Sequence, residues 1–144
     1  MCLTTKQICP IRARKDIVVY KVLIKSRKFV NRNVYYTPVM GKYIELHKTF
    51  YATTTNKNND KRKAYYPSKG RYDITSGFIH CYTNRTDIPH ISGIRLFGRL
   101  YIILHRAETA VMVKCIIRKG TLYYKSYDGI EICATQVDVL DEVA

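Results

Sequence analysis

Acidic side chains are nearly missing from the first half of this chain. Through Tyr72 there are only three, Asp16, Glu45 and Asp60, against 17 lysines and arginines, whereas from Asp73 onward eight acids balance eight bases. The whole formal charge of +14 therefore belongs to the first 72 residues. A one-sided positive field is the expected footprint of an anionic partner: nucleic acid, a nucleotide, a membrane surface or an acidic protein. The five cysteines (Cys2, Cys9, Cys81, Cys115 and Cys133) form no CxxC pair and no zinc spacing, and their number is odd, so reduced thiols are expected. No apolar run approaches the roughly 18 residues a membrane span needs, and the N-terminal MCLTTKQICPIRARKD has no apolar signal core. A soluble, cytoplasmic protein without membrane partners is the expectation. Walker loops, the RNP pattern, zinc fingers and basic zippers are also missing, so no named nucleic-acid module is supported.

What is present suits a globular domain. At 144 residues, 47% hydrophobic and 25% charged, the chain is expected to form one domain spanning 1–144 with its own core. Residues 16–24, DIVVYKVLI, read as a central strand, and KFVNRNVYYTPV as a hairpin turning at Asn31-Arg32-Asn33. YIELHKTFYA, residues 43–52, is the next strand. Residues 53–71 hold three asparagines, six bases and almost no aliphatic side chain, which predicts a long basic loop. Strand pattern returns at RYDITSGFIHCY. From Thr86, the apolar residues Ile88, Ile91, Ile94, Phe97, Tyr101 and Leu104 recur every three or four positions and predict a helix, capped at Thr86 or Asp87 with Pro89 in its first turn; Gly93 and Gly98 interrupt it, and LYIIL, residues 100–104, is open to leaving the helix as a strand. VMVKCII, TLYYKSY and a last strand within IEICATQVDVL, separated by RKG and Asp128-Gly129, predict a meander. The fold class expected is α+β: a mostly antiparallel sheet with one principal helix packed on one face.

The stretch SGFIHCYTNRTDIPH, residues 76–90, concentrates the chemistry. His80 and Cys81 are neighbours, so on a strand they point to opposite faces and cannot share a metal. No metal site and no cofactor are expected, and Cys81 reads as a small buried hydrophobe. Phe78, His80 and Tyr82 share one face, on which Tyr82 can stack a ring and His80 can offer a nitrogen. Arg85 stands at the expected helix start, where Thr86, Asp87 and free backbone N–H groups favour an anion. Arg95 and Arg99 extend that basic surface. In the basic loop, Lys57, Lys61, Arg62, Lys63, Tyr65, Tyr66, Lys69 and Arg71 combine cations with rings, as nucleic-acid and nucleotide sites both do. Each doublet among Tyr35-Tyr36, Tyr65-Tyr66 and Tyr123-Tyr124 must expose one ring if it buries the other on a strand.

The order YKVL, YIELHKTFY, SGFIHCYTN, a helix, VKCIIRKGTLYY and EICATQVDVL resembles an uncharacterised group of small proteins from gut Bacteroidetes and their phages. Those proteins carry Gly-Phe-His-Ala or Gly-Phe-His-Cys on a strand before a helix and Ile-Pro-Lys-Gly-Thr on a later strand. Here Ile79 separates Phe78 from His80, and Arg118 replaces the proline. The resemblance implies a small accessory protein of a phage or mobile element, acting in the host cytoplasm. The closing strands are also faintly similar to those of ADP-ribosyltransferases. DIVVYKVLI lacks their Arg or His, and Gly129 stands where Glu131 needs an acidic or Gln partner, which implies a non-catalytic nucleotide cleft.

The leading expectation is non-enzymatic binding of a phosphate-bearing, nucleotide-like small molecule, in concrete form the sequestration of a nucleotide-derived immune signal. Two alternatives are sequence-tolerant DNA or RNA binding through the basic half, and inhibition of a host protein through its acidic surface. No nucleophile, base and orienting group can be placed together for an enzyme.

Overall fold

The structure, a computed structural model, describes residues 3–7, 9–29, 32–38, 42–52, 70, 72–74, 78–85, 95–96, 100–101 and 108–143. The strands are β1 (Leu3–Thr5), β2 (Ile11–Arg12), β3 (Ile17–Phe29), β4 (Arg32–Tyr36), β5 (Tyr43–Ile44), β6 (Thr49–Tyr51) and β7 (Tyr72–Ile74). They continue with β8 (Ile79–Tyr82), β9 (Arg95–Leu96), β10 (Leu100–Tyr101), β11 (Glu108–Ile117), β12 (Leu122–Lys125), β13 (Glu131–Ala134) and β14 (Gln136–Glu142).

The sheet is built around β3. Its sequence IVVYKVLIKSRKF is rich in the branched and aromatic side chains that fit a pleated, half-buried surface. Along one edge it pairs antiparallel with β11 without interruption, from Ile17↔Ile117 to Ser26↔Glu108. The other edge is shared: β8 meets it at Tyr20↔Tyr82, and β4 takes over from Ile24↔Tyr36. The ten-stranded sheet runs β2-β12-β13-β8-β3-β11-β14-β6, with β4 and β5 as a side branch.

Alternation along these strands sorts side chains into two cores. Val19, Leu23, Val113, Cys115, Ile132 and Val139 belong to the main core, each no more than 1% exposed. On the opposite face of β12 and β13, Tyr124 and Cys133 form a second cluster with Leu3, Ile74 and Phe78. The Phe78 and Tyr124 rings meet edge to face, with centroids 5.4 Å apart and planes at 84°. The β1–β7 pair supplies Leu3 and Ile74, which are directly opposite each other.

The expected principal helix is not found. Among the described residues there is no helix, and inside the stretch read as helical Arg95–Leu96 and Leu100–Tyr101 pair as antiparallel strands, Leu100↔Leu96 and Tyr101↔Arg95. The architecture is therefore mostly antiparallel β, not α+β. The apolar spacing misled because the same segment is rich in isoleucine and broken by Gly93 and Gly98, residues that suit strands and turns better than a helix interior.

Two further differences come from competition for edges. β12 and β13 form the expected hairpin, but β11 does not join it, because β3 and β14 already occupy both its edges. The segment 43–52 is two strands: His47, at φ 63°, breaks it. That break lets β5 pair with β4 while β6 pairs with β14 on a different edge. The predicted loop 53–71 lies outside the described residues except for Gly70.

Leu23 is fully buried in the main core on the strand that carries the sheet. Leu23→Ala should lower unfolding free energy by about 2–5 kcal/mol. Urea titration followed by far-UV circular dichroism measures it, and a loss below about 1 kcal/mol would show that β3 is not central to the core.

Candidate functional site

The β8 face was the first place to look for chemistry. Cys81 points into the main core, 1% exposed, and burial pushes its thiol up to about 11, so it is an inert hydrophobe as expected. Cys9, Cys115 and Cys133 are also free thiols. Among the described residues no group of three metal-ligating side chains occurs.

His80 stands on the other face, opposite Cys133, and both of its ring nitrogens are shut off from solvent without a hydrogen-bond partner. Burial, reinforced by Lys21, lowers its pKa to about 3, so the imidazole is neutral. Tyr82, 5% exposed, lies between Glu131 on β13 and Tyr20 on β3. Burial and the Glu131 carboxylate raise its phenol, and burial followed by Asp128 raises Glu131.

The fork in the sheet explains Lys21. Thr83 N–H donates to Ile130 O at 2.9 Å, so alternate residues of β8 address β13 and the backbone of His80 addresses β3. The β3–β8 pairing stops at Tyr20↔Tyr82, and Lys21 Nζ donates to the His80 carbonyl at 2.8 Å in place of a strand neighbour. The cluster thus closes a fork in the sheet and buries its rings.

Of the residues expected to bind ligand, Tyr82 is buried, His80 is half-buried with its ring nitrogens shut off from solvent, and Arg85 is exposed just beyond the end of β8. The backbone of Arg95 is in β9. Thr86, Asp87, Arg99, Lys57, Lys61, Arg62, Lys63, Tyr65, Tyr66, Lys69 and Arg71 lie outside the described residues.

A cleft that the sequence reading passed over lies at the sheet's edge. It has a volume of about 430 Å³ and is lined by Ile11, Arg12, Arg14, Lys15, Ile17 and Tyr123. β2 pairs with β12 at Ile11↔Tyr123, so these two side chains share a face. Ala13, buried in the main core, exchanges backbone hydrogen bonds with Thr121 and Gly120 and turns the chain toward β3. Ile17 and Tyr123 also pack against that core, giving the cleft a fixed apolar floor. Arg12 Nη1 donates to Gly120 O at 3.0 Å, leaving its other donors available. Arg12, Arg14 and Lys15 are exposed, and none forms an ion pair among the described residues. Asp16, the acid next to them, is already bound to Arg118 and to the Lys119 N–H.

The signal for this cleft was legible: IRARK places three bases in five residues just before the central strand. The Tyr123-Tyr124 doublet splits between two faces as expected, but neither ring is fully exposed: Tyr124 is buried in the second cluster and Tyr123 is half-buried against the main core.

His80 gives this region a pH signature. Its folded pKa lies below the unfolded value of about 6.5, so on acidification the unfolded chain takes the proton first. Stability is full above about pH 6.5 and falls toward pH 3 at up to ~1.4 kcal/mol per pH unit from this group. His80→Leu should flatten the profile and be the more stable variant relative to wild type at pH 5, by about 2 kcal/mol. Parallel urea titrations at pH 7 and pH 5 test this, and equal pH dependence in both proteins would refute a buried neutral imidazole.

No family model matches the chain, and no curated protein and no solved structure matches it significantly.

Proposed function

We propose that the protein binds, without chemical change, a phosphate-bearing nucleotide-like small molecule in the cleft between β2, β12 and the start of β3. The observation that carries this reading is the lining: Arg12, Arg14 and Lys15 without ion-pair partners among the described residues, beside a floor of Tyr123, Ile11 and Ile17. Guanidinium and ammonium groups recognise phosphate oxygens, and a half-buried phenol flanked by isoleucines offers a flat surface to a base. A volume of about 430 Å³ falls in the range of small-molecule sites. Sequestration of a nucleotide-derived signal is the form of activity this supports, since among the described residues the cleft lining contains no carboxylate, thiol or imidazole to act as base or nucleophile.

The test is a thermal-shift titration with ADP, cyclic AMP, ADP-ribose and a twelve-residue oligothymidylate at moderate and high salt. One small nucleotide should raise the melting temperature with modest salt sensitivity. Arg14→Ala with Lys15→Ala should weaken its binding at least about tenfold, because two charge-assisted contacts are lost. Tyr123→Ala should weaken nucleotide binding and leave pyrophosphate binding unchanged. Response to the oligonucleotide alone, lost steeply with salt, would replace this reading with nucleic-acid binding. No response to any of them would refute both.

A further inference from the structure

Arg118 is the hub of a chain of charged contacts next to the cleft residues Lys15 and Ile17 in the fold, through its bond to Asp16. Its Nε donates to Asp138 Oδ2 at 2.6 Å and its Nη1 to Asp16 Oδ2 at 3.0 Å. Asp138 Oδ1 accepts from Thr49 Oγ1 at 2.7 Å, which orients that carboxylate from β6. Asp16 Oδ1 accepts from the Lys119 N–H at 2.8 Å, so both Asp16 oxygens are engaged by residues that do not line the cleft. The Lys119 N–H bond first, and the Arg118 bond after it, lower the pKa of the Asp16 carboxyl.

The placement matters because Asp16 directly follows the cleft residues Arg14 and Lys15 and directly precedes Ile17. Asp16 is the acid adjacent in sequence to those two cations. Turned toward them, it would neutralise part of the cleft. Held by Arg118 and Lys119 N–H, it instead pins the corner from which they project.

We infer that Asp16 and Arg118 are positioning residues for the cleft, a clamp that fixes the Arg14–Lys15 corner and keeps both cations available to phosphate. This rests on the cleft being the ligand site. The clamp and simple electrostatics predict opposite signs for one substitution. Asp16→Asn removes a negative charge close to the cleft, and by charge alone ADP should bind more tightly. If the clamp positions the cations, losing its charge-assisted bonds should weaken ADP instead. Arg118→Lys is the companion variant: it conserves charge, but a single ammonium cannot reproduce the fork that bridges Asp16 and Asp138.

Calorimetric titration with ADP, and an NMR titration with adenosine, should be run on the wild type and both variants. The expected result is ADP binding weakened about three- to tenfold in each variant, adenosine binding unchanged, and melting temperatures close to wild type because the pairs are exposed. ADP binding equal to or tighter than wild type in Asp16→Asn would overturn the clamp and leave the cleft reading intact. Parallel loss of ADP and adenosine binding would also overturn it, making Asp16 a general structural residue. A wild-type protein that binds neither probe would remove the cleft reading and the clamp with it.

Discussion

The ladder between β3 and β11 is the interaction on which the rest of the molecule depends. It pairs Ile17 through Ser26 with Ile117 through Glu108 without a gap, joining residues some 80 to 100 positions apart in the chain. That long closure is entropically unfavourable until side chains across it are buried together, which is why its inner face is occupied by Val19, Leu23, Val113 and Cys115. The rest of the ten-stranded sheet attaches to this pair. β14 adds to β11, β8 and β4 divide the free edge of β3, and β13, β12, β2, β5 and β6 extend from those, while β1–β7 and β9–β10 are separate two-stranded sheets.

The division of the β3 edge explains several features that look unrelated in sequence. One edge of a strand cannot pair with two neighbours at the same residue, so a fork on that edge leaves backbone groups to be satisfied by side chains. Lys21 does this for the His80 carbonyl while its own backbone stays in the β11 ladder opposite Val113. Farther along, Lys25 and Tyr35 converge on Glu142 at 2.9 and 2.6 Å, joining β3, β4 and the end of β14 where the other side of the fork opens. Charged side chains on an otherwise apolar sheet thus serve the branching of the fold before they serve any ligand.

Much of the strand content was legible because it depends on local composition. DIVVYKVLI, VMVKCII and the Tyr123-Tyr124 doublet were recognisable from β-branching and alternation, and the opposite orientations of His80 and Cys81 followed from strand period alone. Pairing was not legible, because edge competition is a long-range property: nothing in VMVKCII says that β3 and β14 will exclude β12. The helix expectation failed for a related reason. A three-to-four spacing of isoleucines fits a helix stripe, yet isoleucine favours strands, and the pairing of Leu96 with Leu100 decided between them. The cleft was missed because attention went to histidine and to the most basic loop, while Arg12, Arg14 and Lys15 become a site only when β2 lies beside β12.

The functional account joins these points. The chain from β2 through Ala13 to β3 brings three cations to a cleft with an apolar and aromatic floor, and Arg118 bonds the adjacent acid. On the proposed reading, the anionic partner expected from the composition is held in that cleft. The most direct measurement is an amide-resolved NMR titration of the ¹⁵N-labelled protein with ADP. The account predicts saturable shifts concentrated at Ile11 to Ile17 and at Tyr123. Shifts concentrated at His80 to Arg85, with the 11–17 segment silent, would contradict it and return the ligand to the β8 face.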